Sequence, residues 1–155
     1  MSDLPDWNTL HTGEGCPLCL DMADVNDHNI KVADLSVTSL RLERNQTYRG
    51  YCVLIFKGRH VNGMEELTDE EYAAVTADLR RASLAVSRAM KPDHMNYATL
   101  GNVIPHLHWH IIPRYRGDPR WQAPVWTSNL ADMDKNPLAS DEAYQALADE
   151  IRREL

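Results

Sequence analysis

Apolar positions recur along this chain in two rhythms. Residues 29–43 (NIKVADLSVTSLRLE) alternate apolar and polar positions over short stretches, which predicts one or two β-strands. Residues 50–57 (GYCVLIFK) form a compact apolar run with β-branched and aromatic members, the pattern of a buried strand. The spacing then changes to steps of three and four. Tyr72, Val75, Leu79, Ala82, Val86 and Met90 make one stripe, so a long amphipathic helix is expected over residues 68–90. Thr68 with Glu71 forms a capping box at its start, and Pro92 stops it. Two more strands follow, around residues 94–100 and 106–115, joined by a short Gly-Asn turn. Ser140 caps a last helix with Tyr144, Leu147, Ile151 and Leu155 on one face. Asp141 and Glu142 lie at its start and Arg152 and Arg153 at its end, as the helix dipole favours. Consecutive strands with few helical crossovers predict an α+β class: an antiparallel sheet with one long helix and a C-terminal helix. The first dozen residues read as a polar arm in which Trp7 and Leu10 are available to pack. Residues 117–139, with Pro119, Pro124 and Pro137, look irregular.

A length of 155 residues makes a single domain over 1–155 the leading expectation. Hydrophobic residues make up 43%, enough for one core without disulfide staples. No apolar run is long enough for a transmembrane helix, and the acidic start lacks the layout of a secretory signal, so the expected location is cytoplasmic. The net charge of −7 gives no global pull toward a nucleic-acid polymer, so a phosphate-bearing ligand has to be held by a local site. Of the three cysteines, Cys52 stands alone in an apolar run and reads as core packing. Cys16 and Cys19 are paired as C-P-L-C, which suggests metal or redox chemistry.

The informative segment is GNVIPHLHWHIIPR at residues 101–114. His106, His108 and His110 stand at i, i+2 and i+4. On one strand all three rings would project to the same side, about 7 Å apart per step at a rise of ~3.4 Å per residue. Leu107, Trp109 and Ile111 would face the core. Such a row suits metal coordination or nucleophilic and acid–base work, since imidazole does both near neutral pH.

H-L-H-W-H-I-I resembles the signature of the histidine triad (HIT) family. The strand GYCVLIFK with Gly-Arg-His-Val after it, the amphipathic helix and the Gly-Asn-x-x-Pro lead-in resemble the family as well. The likeness spans residues 16–115, leaving an N-terminal arm and a C-terminal extension. It implies a nucleotidyl hydrolase or transferase acting on a nucleoside phosphate anhydride or phosphoramidate. His108 matches the family's nucleophile, which forms a nucleotidyl-histidine intermediate. His110 matches the residue that assists the leaving group and hydrogen-bonds phosphate. Asn102, Asn96 and Asn45 fall where substrate-binding amides are expected. The resemblance also implies a purine nucleotide partner, a homodimer and no organic cofactor.

Some family members hold zinc with a CxxC, a histidine after the strand preceding the helix, and the first triad histidine. Here those are Cys16, Cys19, His60 and His106, a complete Cys2His2 set for a closed, tetrahedral, structural zinc site. Arg114, Arg116 and Arg120 suggest a local positive patch, and Trp121 and Trp126 could stack on a base or pack at an interface. Two other readings share the histidine row: a metal-dependent hydrolase using all three rings, and a non-catalytic nucleotide-binding regulatory protein. A zinc module for nucleic acid conflicts with the acidic charge.

Overall fold

The computed structural model describes residues 5–20, 22–118, 120–126 and 136–155. The acidic first four residues lie outside these, as do Pro119 and part of the irregular 117–139 segment. Five strands, β1 (Asn29–Asp34), β2 (Thr38–Glu43), β3 (Cys52–Phe56), β4 (His94–Ala98) and β5 (His108–Arg114), form one sheet in the order β1-β2-β3-β5-β4. All neighbouring pairs are antiparallel. The expected α+β class and antiparallel sheet are therefore what the chain adopts.

Alternation along the strands divides the sheet into two faces. Leu40, Leu42, Leu54, Trp109 and Ile111 point to one face. There they pack with Val75, Ala82 and Val86 of α2 (Asp69–Met90) and with Tyr144, Leu147 and Ile151 of α3 (Asp141–Arg152). Cys52 is fully buried in this core. The α2 stripe starts at the capping box: Thr68 Oγ1 accepts from Glu71 N at 3.2 Å, and Thr68 N donates to Glu71 Oε2 at 2.9 Å. Arg59 grips the same carboxylate through two bonds, which holds Glu71 down at about 2. At the other end Lys91 turns left-handed at φ 47° and Pro92 follows. Ser140 caps α3, and Leu155 packs on the core just beyond the helix end.

The second face carries Val53, Ile55, Ile112, His108 and His110. Tyr48, Tyr51 and Val125 cover part of it, with Leu18, Met22 and Trp126 packed against them. Buried Arg114 pins the C-terminal part of this cover. Its guanidinium donates to Asp118 Oδ2 at 2.8 Å, to Asn96 Oδ1 at 2.7 Å and to the Arg120 and Ala123 carbonyls, and lies over the Tyr48 ring. Arg114 is thus spent inside the fold and is not part of an exposed positive patch. Gly50 allows the chain to enter β3 beside α2. Its φ is +84°, and a Cβ there would stand 2.3 Å from Met90 Cγ.

Three local features differ from the sequence reading. The N-terminal arm contains a short helix, α1 (Trp7–His11), because Asp6 accepts from the Asn8 and Thr9 amides, and its Leu10 is buried. The connection between β4 and β5 runs over residues 99–107 and is not a short Gly-Asn turn. His106 accordingly stands before β5, so only His108 and His110 share the strand face. Among the described residues no helix is long and apolar enough to cross a membrane.

Asp78 ties α2 to the β1–β2 turn. Its buried carboxylate accepts from Ser36 N, Ser36 Oγ, Val37 N and Thr38 Oγ1 at 2.9–3.2 Å. Asp78→Ala would strand these donors, and we expect a loss of about 2–4 kcal/mol in urea unfolding. A loss below about 0.5 kcal/mol would show that the turn does not depend on this carboxylate.

Candidate active site

His106 is almost fully buried, and its two ring nitrogens have separate tasks. Nε2 lies 2.9 Å from the Phe56 carbonyl, an acceptor only, so this nitrogen carries the proton. Nδ1 then presents a lone pair to Cys19 Sγ at 3.3 Å and Cys16 Sγ at 3.6 Å. His60 repeats the arrangement: Nε2 faces Asn62 Oδ1 at 3.1 Å and Nδ1 faces Cys19 Sγ at 3.2 Å. The two sulfurs and two Nδ1 atoms all lie within 4.8 Å of one another. A tetrahedral zinc with ordinary bond lengths has ligand–ligand edges of about 3.3–3.8 Å, and the three nitrogen–sulfur separations of 3.2, 3.3 and 3.6 Å lie close to that range. Partial burial and the Cys16 thiol beside it push the Cys19 thiol up to about 11, an effect that a cation would reverse. The four residues proposed as metal ligands thus meet in one cluster, with the second ring nitrogen of each of its two histidines already anchored.

His108 begins β5, and its Nδ1 donates to the His106 carbonyl at 2.6 Å. Nε2 is left with a lone pair. Burial pushes this ring below the usual imidazole range, which favours the neutral form. His110, two residues on, lies beside it with ring centroids 4.9 Å apart and nearly perpendicular planes. Burial first, and then the His108 charge, push His110 down to about 4. The Trp126 ring packs against it at 4.9 Å and the Tyr51 hydroxyl lies 2.6 Å from its Nδ1. The three histidines therefore do not converge on one ion. His106 turns toward the cysteines, which removes one member from the three-histidine metal site.

The asparagines fall in different settings. Asn102 is exposed in the 99–107 connection, and no hydrogen bond holds its side chain among the described residues. Asn96 pairs with Ile112 on the open face, but its oxygen is committed to Arg114, which leaves the NH2 group for a ligand. Asn45 folds its oxygen onto Thr47 N, Thr47 Oγ1 and Asn136 N, the chemistry of a turn. A cavity of about 340 Å³ opens on the same sheet face, with Leu18, Met22, Ser39, Arg41 and Ile55 in its wall. Its wall also holds Cys19, His60 and His106 of the cluster, and His108 and His110 are not among its lining residues, although Ile55 is the strand partner of His108. Sequence reasoning missed Glu43 and Tyr51. Glu43 follows Ser39 and Arg41 on this face, and burial raises it to about 7 despite Asn29 and Arg41. The polar alternation of Ser39, Arg41 and Glu43 between leucines was the available signal. Tyr51 gave none, because it reads as one more apolar residue of a buried strand.

Comparison with known proteins agrees with this geometry. A family model, the HIT domain, matches residues 26–117. The chain belongs to the histidine triad family. Among solved structures, a histidine triad protein from Sinorhizobium meliloti 1021 is 25% identical. The match covers 83% of this chain and 90% of that one, with a TM-score of 0.74. One from Bradyrhizobium japonicum is 27% identical over 89% of this chain and 98% of that one, with a TM-score of 0.73. A zinc-bound histidine triad family protein from Mycobacterium smegmatis shares the fold at 18% identity and a TM-score of 0.55, over 79% and 84% of the two chains. No curated protein matches the sequence. The HIT fold places the chain in a superfamily of nucleotide-binding hydrolases and transferases.

Proposed function

We propose that this HIT protein cleaves a nucleoside phosphate anhydride or phosphoramidate through a nucleotidyl intermediate on His108. The observation that carries the reading is the 2.6 Å bond from His108 Nδ1 to the His106 carbonyl. It holds the ring as the tautomer whose Nε2 lone pair is free to attack phosphorus. In the first step the Nε2–P bond forms as the leaving group departs with the electrons of its bond to phosphorus. In the second, water forms a new P–O bond and gives up a proton to bulk solvent, while the N–P bond returns its electrons to His108. Splitting the displacement in two replaces one difficult step by two easier ones. A neutral His110 offers the phosphoryl group one N–H and no spare proton. Hydrogen bonding is therefore the part of its family role that the free site supports. Asn102 and the NH2 of Asn96 supply further donors.

The same reading assigns zinc to Cys16, Cys19, His60 and His106, supported by the ligand separations and by the zinc-bound relative. Four protein ligands leave no position for water, so an ion bound there would serve structure. It would fasten the N-terminal arm to the segment before β5. Purified protein should hold about one zinc per chain. Cys16→Ser should lose it and give up about 3 kcal/mol or more of stability. Preparations without zinc, and a Cys16→Ser variant as stable as the parent, would remove the metal from this account.

The nucleophile is tested by quenching the enzyme with adenosine and guanosine substrates and mapping the modified peptide by mass spectrometry. We expect the nucleotidyl group on His108. His108→Ala should lose the adduct and at least about a thousandfold in turnover while still binding nucleotide. An adduct elsewhere, or near-normal turnover in the variant, contradicts the assignment. Nucleotide binding by the parent enzyme with neither adduct nor turnover would favour the regulatory reading instead.

A further inference from the structure

His108 and His110 sit side by side, but their Nδ1 atoms meet opposite kinds of partner. The partner of His108 Nδ1 is a carbonyl, which can only accept. That of His110 Nδ1 is the hydroxyl of Tyr51, which carries a hydrogen of its own. Tyr51 is 8% exposed, and among the described residues His110 Nδ1 is the sole hydrogen-bond partner of its hydroxyl. If His110 donated from Nδ1, the phenolic hydrogen would be buried with no acceptor, which is costly. The arrangement that satisfies both groups has Tyr51 donating to Nδ1, so the single proton of neutral His110 resides on Nε2.

We propose that Tyr51 is a positioning residue that fixes His110 in the Nε2–H tautomer, so that the neighbouring rings present a lone pair from His108 and a hydrogen-bond donor from His110. The assignment rests on geometry. Its catalytic consequence rests on the nucleotidyl-transfer reading above. In that setting the Nε2–H of His110 donates to a phosphoryl oxygen as charge gathers there while His108 Nε2 attacks. No proton is transferred in this contact. Tyr51 holds the polarity of that donor without touching substrate.

The surroundings explain why the hydroxyl can hold this orientation. Gly50, at φ +84°, brings the chain past Met90 and delivers Tyr51 at the start of β3. The phenol ring packs with Tyr48, Val53, Ile112 and Val125 and lies 5.9 Å from the His110 ring. Trp126 closes on the imidazole at 4.9 Å. Burial, with Glu43 and Cys52 near, pushes the phenol well above its ordinary range, so it stays a donor at any working pH. Burial likewise keeps His110 neutral, which makes its choice of tautomer matter.

The direct test is a long-range 1H–15N correlation spectrum of the zinc-replete full chain labelled with 15N-histidine, compared with Tyr51→Phe. In the parent protein we expect His110 to show a protonated Nε2 and an unprotonated Nδ1. In Tyr51→Phe, which keeps the ring and loses only the hydroxyl, His110 should become a mixture of tautomers while the His108 signals stay put. With adenosine 5′-phosphoramidate, kcat of Tyr51→Phe should fall about tenfold with KM within about twofold, since the donor is worth most in the transition state. A parent His110 protonated on Nδ1 overturns the proposal whether or not the variant folds, and so does a Tyr51→Phe spectrum with His110 unchanged. If the parent does not turn over phosphoramidates or anhydrides, the nucleotidyl-transfer reading fails, while the parent spectrum still decides the role of Tyr51.

Discussion

The hydrogen bond from His108 Nδ1 to the His106 carbonyl is the contact on which the site depends. An imidazole free to exchange tautomers would present its Nε2 lone pair only part of the time. A fixed carbonyl removes that choice. The peptide that supplies it is itself held on several sides. His106 N donates to Ile104 O, Leu107 N donates to Val61 O at 2.8 Å, and Leu107 O accepts from Phe56 N at 3.1 Å. The His106 ring completes the anchorage by bonding Phe56 O with one nitrogen and facing the cysteines with the other. One residue therefore joins the metal-ligand cluster to the nucleophile, through its side chain on one side and its backbone on the other.

The sheet makes this economy possible by giving each face a different chemistry. Its inner face is filled by leucines, Trp109 and Ile111 under α2 and α3, which fixes the strands by burial alone. Its outer face is left to carry His108, His110, Arg41 and Glu43 and is only partly roofed. The roof is built from both ends of the chain: Leu18 and Met22 from the N-terminal arm, and Val125 and Trp126 from the C-terminal segment. The arm is tied down by the cysteine cluster and the C-terminal segment by Arg114. Partial cover favours the neutral form of both histidines, and a cavity opens on the same face against the cysteine cluster. Zinc at the cluster would therefore stabilise one wall of the cavity as well as the residue that aligns His108.

Much of this was legible in the residues, for identifiable physical reasons. The α2 stripe from Val75 to Met90, its capping box and the alternation of β5 from His108 are local patterns that form where predicted, whereas Tyr72 at the head of the stripe is half exposed. Cys16, Cys19, His60 and His106 lie far apart in sequence, and a resemblance was needed to group them. Periodicity alone could not show how three consecutive alternate histidines divide, and it was the resemblance that set His106 with the cysteines. Strand periodicity places all three on one face, but the ladder with β3 begins at His108, and His106 follows the loop toward the cysteines. The asparagines show a similar limit, since the resemblance marks Asn45 and Asn96 as candidates but not that Thr47 and Arg114 compete for their oxygens. The roles of Tyr51 and Trp126 arise only from contacts across the sheet.

If the His106 carbonyl sets the reactive nitrogen, the chemistry of the trapped intermediate must record it. Stabilising the nucleotidylated enzyme under alkaline denaturing conditions and assigning the N–P linkage by 31P and 15N NMR reads this directly. The account predicts phosphorus on Nε2 of His108. Phosphorus on Nδ1 would mean that the carbonyl does not hold that nitrogen during reaction, and the central claim would be wrong.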